Sequence, residues 1–128
     1  MNIAEHKSGT ASTIVKECNT AKAVGSGSLD VFSTPMMIAL MEEAACNCLA
    51  DRLEEGQSSV GTQINIQHTA ASPMGAEITA IATITSIDGR KVEFEVVAVE
   101  GVQPDDKEIG RGTHTRFIIN VEKFMSKL

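Results

Sequence analysis

The spacing of apolar positions changes near residue 56, and the change predicts one long helix followed by strands. Residues 36–52 run through Met, Ala, Leu and Glu with no Gly or Pro, a composition that favours helix. Ser33-Thr34-Pro35 precedes this run. Proline suits the first helical position, so Thr34 is the expected N-cap. Gly56 lies just past the end, where a helix commonly stops. Residues 59–69 then alternate, with Val60, Thr62, Ile64, Ile66 and His68 on one face and Gln63, Asn65 and Gln67 on the other. That period of two predicts a strand. A second strand over 76–87 leads through Asp88-Gly89, a strong hairpin signal, into a third over 91–100, where Val92, Phe94, Val96 and Ala98 face one way. After a turn at 101–107, residues 109–121 form a long final strand. Upstream, 12–22 reads as a strand and 23–30, which contains GSGS, as a loop.

The expected order is therefore strand, helix and four antiparallel strands: an α+β domain with one sheet wrapped on one helix. A five-stranded sheet has open edges, and pairing with a second copy removes one of them. A homodimer, or a higher even oligomer, is the expected assembly.

Composition narrows the function. The 128 residues suit a single domain, with 42% apolar residues and a net charge of −6 from 17 acidic and 11 basic groups. No basic cluster stands out, and there are four Phe and no Trp or Tyr. Nucleic-acid binding, which needs a basic footprint and stacking rings, is set aside. No apolar run reaches the ~20 residues of a membrane span. The start, MNIAEHKSGTAST, lacks an export pattern, so a cytoplasmic protein is expected. Cys18, Cys46 and Cys48 form neither a disulfide framework nor a zinc spacing. No metal is expected.

Several residues carry chemistry. Helical spacing sets Pro35, Ile38, Glu42, Ala45 and Leu49 on one stripe, where Glu42 is the only charge. Glu42 either snorkels from the edge of the stripe or is a functional carboxylate. His68 shares the inward face of its strand, as a satisfied rim residue or as an acid–base group. Gly61 early in a strand implies a close approach to its backbone. Alternation puts His114 and Arg116 on a solvated face, with a phosphate as the other partner for Arg116. Thr34, Glu42 and His68 supply the parts of an acid–base or nucleophilic hydrolase, but spacing does not show that they meet.

The segments VFSTPMMIALMEEAA (31–45), VGTQINIQHTAASPMGAEITA (60–80) and IGRGTHTRFIINVEKF (109–124) resemble the hotdog-fold thioesterases of the fluoroacetyl-CoA thioesterase type. The resemblance implies a sheet wrapped around a central helix, a dimer and an active site between subunits. It places the family's catalytic Thr, Glu and His on Thr34, Glu42 and His68. The glycine near the thioester carbonyl falls on Gly61, and the motif arginine on Arg116. It implies no cofactor, CoA being part of the substrate, whose phosphates would meet Arg116, Arg111 or nearby Lys. Members tuned to the fluorinated substrate carry phenylalanines just before the helix, where this chain has AVGSGSLDVF and only Phe32 remains. The expectation is an acyl-CoA thioesterase for small or medium acyl groups. The alternative is a non-catalytic dimer that binds acyl-CoA or another ligand.

Overall fold

The computed structural model describes residues 7–128. The elements run β1 (Ser8–Ile14), α1 (Ala21–Val24), α2 (Thr34–Leu49), a single 3-10 turn (Ala50–Arg52), β2 (Gln57–His68), β3 (Glu77–Asp88), β4 (Lys91–Glu100), β5 (Lys107–Asn120) and α3 (Val121–Ser126). Residues 1–6, part of the stretch read for an export pattern, lie outside the described residues. The strands make one antiparallel sheet in the order β1-β3-β4-β5-β2.

Alternation in the middle strands builds the core floor. Ile78, Ala80, Ala82 and Ile84 of β3, and Val92, Phe94, Val96 and Ala98 of β4, are all buried, and α2 lies across them. The small alanines let the helix approach closely. This is the hotdog arrangement, one curled sheet around one long helix. The strands at the two edges, β1 and β2, each pair on one side only.

Where the structure departs from the sequence expectation, local hydrogen bonding explains it. The first strand spans Ser8–Ile14 rather than 12–22. It ends because Asn19 closes a turn, accepting from the Lys16 N–H and donating to the Ile14 carbonyl. The expected loop at 23–30 contains the end of α1, which Thr20 caps at one end and left-handed Gly25 at the other. The final strand ends one residue early because Asn120 caps α3.

The face of α2 is also rotated from expectation. Its buried residues are Met37, Leu40, Met41, Ala44, Ala45, Cys48 and Leu49, whereas Pro35 is exposed and Ile38 half-buried. The helix is apolar around most of its girth, so its pattern does not define one orientation. Glu42 therefore sits at the margin of the buried face, with its side chain 41% exposed.

The N-cap is Ser33, not Thr34. The Ser33 Oγ accepts from the Met36 N–H at 3.2 Å, and Thr34 is the first helical residue. Replacing buried Ser33 by Ala should lower the unfolding free energy by about 1 kcal/mol. Replacing exposed Thr34 should leave it within about 0.5 kcal/mol. Urea midpoints of the two variants check this, and equal losses would contradict the assignment.

Candidate active site

Two groups of side chains lie along the face that α2 shares with β2. The first joins the start of the helix to the end of the strand. Thr34 Oγ1 stands 2.8 Å from His68 Nδ1. Both line an open cleft of about 280 Å³ together with Phe32, Ala21, Ser26 and Ala70. Buried Phe32 forms part of its floor. His68 Nε2 is buried and has no hydrogen-bond partner among the described residues. Burial pushes the His68 pKa below that of free imidazole, partly offset by the Ala70 backbone. Burial thus favours the neutral imidazole, with one nitrogen held and the other unpartnered.

The start of α2 adds a donor. The Met36 N–H goes to Ser33 Oγ and the Met37 N–H to the Ser33 carbonyl, while Pro35 has none. This leaves the Thr34 N–H, beside its own hydroxyl, at the positive end of the helix.

The second group centres on Glu42, about 12 Å further along the helix axis. Arg116 Nη1 donates to Glu42 Oε2 at 3.1 Å. Its Nε donates to Ser59 Oγ at 2.9 Å and its Nη2 to the Ser59 carbonyl at 3.1 Å. Beside it, His114 is buried, and its Nδ1 lies 2.8 Å from the Gln63 carbonyl. Burial lowers the His114 pKa, with the Gln63 carbonyl opposing, Arg116 reinforcing and Glu42 opposing. At 3.8 Å from Glu42, a neutral His114 makes no ion pair with it, and the carboxylate belongs to Arg116. Glu42 faces a cleft of about 200 Å³ lined also by Ile38, Gly61, Thr62, Ile64 and His114.

A β-bulge makes this second group possible. β2 shifts register against β5 between Gly61 and Gln63, so Gly61 pairs with Arg116 and Ile64 with His114. Thr62 is the extra residue, and the bulge turns Gly61 onto the same face as Ile64, Ile66 and His68. Unbroken alternation had grouped Val60 and Thr62 with them. The close approach expected at Gly61 is made by side chains: a Cβ there would lie 2.5 Å from Glu42 Oε2.

The solvated face expected for His114 and Arg116 is corrected too. Both are buried, on the side of β5 that faces α2. Two glycines, Gly110 and Gly112, share this face opposite His68 and Ile66, and a Cβ on Gly110 would strike Met37. Glycines at alternate positions of a strand were the available sign of close packing. The guanidinium of Arg116, committed to Ser59, Glu42 and His114, is turned away from any exposed phosphate. Arg111 is exposed, but its donors go to Glu108 and Glu95.

Thr34 and His68 thus meet within one chain. Glu42, Gly61 and Arg116 meet within one chain. The two groups do not meet each other. Where the phenylalanine lid would stand, α1 and its loop place Ala21 and Ser26 on the cleft wall. Among the described residues, no group of three or more His, Cys, Asp or Glu is placed to hold a metal ion. No helix among them is long and apolar enough to cross a membrane.

Residues 15–122 match the family model described as fluoroacetyl-CoA-specific thioesterase. A fluoroacetyl-CoA thioesterase from Streptantibioticus cattleyicolor is 43% identical over 99 residues, covering 77% of this chain and 68% of that protein. A crystal structure of a mutant fluoroacetyl-CoA-specific thioesterase in complex with fluoroacetate and CoA superposes with a TM-score of 0.85 at 36% identity, covering 94% of this chain and 98% of that one. A hypothetical protein from Thermus thermophilus, described as a thioesterase superfamily member, superposes with a TM-score of 0.86 at 23% identity, covering 96% and 88%. This last likeness is one of fold.

Proposed function

Because this chain belongs to the fluoroacetyl-CoA-specific thioesterase family, we propose that it hydrolyses a small or medium acyl-CoA thioester to the free acid and CoA. The Thr34–His68 pair carries the reading, because it lines a cleft, holds one imidazole nitrogen and leaves the other, buried, without a partner. His68 Nδ1–H donates to Thr34 Oγ1, so Nε2 presents its lone pair. Nε2 takes a proton from water as that water attacks the thioester carbonyl. The Thr34 hydroxyl and N–H receive the oxyanion. The intermediate collapses, the carbon–sulfur bond breaks, and the imidazolium returns its proton to the leaving sulfur. Glu42 accepts from the attacking water and stabilises the imidazolium.

That last role needs a second copy, since Glu42 is distant from His68 in its own chain. β2 is an edge strand of 12 residues, and Ile64 on its helix-facing side is 38% exposed. Antiparallel pairing of β2 with β2 of another copy satisfies that edge and makes an isologous homodimer. A two-fold axis near Ile64 and Asn65 sets Gly61 of each strand beside His68 of the other. It brings each Glu42 toward the partner's Thr34–His68 pair. The active site then lies between subunits.

The reading requires no metal or redox cofactor. Pantetheine needs only the groove between subunits. Exposed Lys22, next to the cleft-lining Ala21, is placed to meet CoA phosphate. The Gly- and Ser-containing loop in place of a lid argues against selectivity for fluoroacetyl groups. Three unpaired cysteines suit a reducing cytoplasm.

Thiol release from a panel of acyl-CoAs, with the mass in solution measured in parallel, tests the proposal. Turnover by a dimer or higher even oligomer supports it, and binding without thiol release overturns it. The pH profile gives a further check. His68 works as the neutral base and its pKa is lowered, so the acid limb of kcat/KM, where the ring gains its proton, should be centred below 6.5, the free imidazole value. An acid limb centred above 6.5 would contradict the assignment of His68 as the base.

A further inference from the structure

We propose that His114 is a positioning residue for the hydrolysis, holding Glu42 in place through Arg116; this rests on the role assigned to Glu42 above. The chain of hydrogen bonds leaves little freedom. His114 Nδ1 lies 2.8 Å from the Gln63 carbonyl oxygen, which only accepts, so Nδ1 carries the ring proton. His114 Nε2 lies 3.1 Å from Arg116 Nη1, which only donates, so Nε2 is the bare acceptor. Both contacts require the same neutral tautomer.

Arg116 Nη1 has two hydrogens. One goes to His114 Nε2 and the other to Glu42 Oε2. Its Nε and Nη2 are held by Ser59. The guanidinium is therefore fixed from two sides, and its remaining hydrogen aims at one oxygen of Glu42. The imidazole is itself held in its plane by Phe94, stacked at a centroid distance of 6.1 Å. Opposite, Gly61 leaves the space that the cluster fills, since a Cβ there would lie 3.1 Å from His114 Cε1 and 3.2 Å from Arg116 Nη1.

Without the acceptor at Nε2, that Nη1 hydrogen loses its partner in a buried place, and the guanidinium swings to recover one. Glu42, partly exposed and held by this single contact, moves with it. Its carboxylate is then misplaced relative to water and imidazolium, which costs rate rather than substrate binding.

Three substitutions separate this from a merely structural role. His114→Gln keeps an acceptor where Nε2 stood. His114→Asn keeps a donor to the Gln63 carbonyl but cannot reach Arg116. His114→Leu keeps neither. We expect Gln to retain kcat within about threefold, and Asn and Leu to lose on the order of 10- to 100-fold with KM nearly unchanged. In a Glu42→Ala background, His114→Asn should cost nothing further, because the group it positions is gone.

Equal kcat for Gln and Asn would overturn the proposal. So would losses that follow thermal stability, or an undiminished loss in the Glu42→Ala background. If His114→Leu does not fold, the Gln and Asn pair still decides. Near-normal turnover in Glu42→Ala itself would overturn both this proposal and the role of Glu42. A dead Glu42→Ala with a fully active His114→Asn would overturn this proposal alone.

Discussion

Replacing Glu42 by glutamine is expected to lower kcat by roughly 10³-fold while the protein stays folded, within the range usual for groups that manage proton transfer. Glutamine preserves size and leaves a carbonyl oxygen to accept from Arg116 Nη1, now at 3.1 Å from the carboxylate. What disappears is the negative charge that accepts from water and steadies the imidazolium. Alanine is expected to be as inactive and less stable, because it leaves a buried guanidinium short of one acceptor, at about 1–3 kcal/mol. Steady-state thiol release with parallel urea unfolding separates the two effects. Glutamine and alanine should match in rate and differ in stability. Normal turnover with glutamine would remove Glu42 from the chemistry.

Gly61→Ala is expected to lower kcat on the order of 100-fold with little change in stability. The added Cβ would lie 2.5 Å from Glu42 Oε2, closer than carbon and oxygen tolerate. The atom it meets is the far end of a flexible side chain, so the carboxylate moves and the strand does not. A displacement of about 1 Å is enough for a loss of this size. Gly61 itself is exposed, and an alanine in a strand carries no backbone penalty. A crystal structure of the variant should show Glu42 turned away from Arg116. An unfolded protein, or one with full activity, would contradict this view of the glycine.

The parts legible in the sequence were those set by short-range pattern. The long helix, the Asp88-Gly89 hairpin and the inward faces of β3 and β4 each follow from spacing alone. Glu42, His68 and Gly61 stood out because each broke the pattern around it, whereas Thr34 fitted its pattern as a cap. Three things were not legible. The bulge at Thr62 shifts the phase of β2 in mid-strand, and Gly61 beside it is as consistent with a close approach as with a bulge. The face of α2 turns on packing, since a helix apolar all round offers several. The burial of His114 and Arg116 depends on β5 lying between β4 and β2, which local alternation does not encode. Gly110 and Gly112 on their side of the strand were the one clue.

The same limits explain why spacing alone left open whether Thr34, Glu42 and His68 meet. Pattern shows which residues are out of place. It does not show distance, and about 12 Å of helix separates Glu42 from Thr34. In the proposed dimer, two-fold symmetry joins the two halves.

Mixed dimers reveal whether each active site draws Thr34 and His68 from one chain and Glu42 from another. His68→Ala and Glu42→Ala are each expected to be inactive, and refolding them together at equal concentration makes about half of the dimers hybrid. If the site spans two chains, each hybrid holds one intact site and one doubly damaged site. The mixture should then recover about a quarter of wild-type thiol release. If His68 and Glu42 act within one chain, every site in the hybrid is damaged, and a mixture as inactive as its two components would contradict the account.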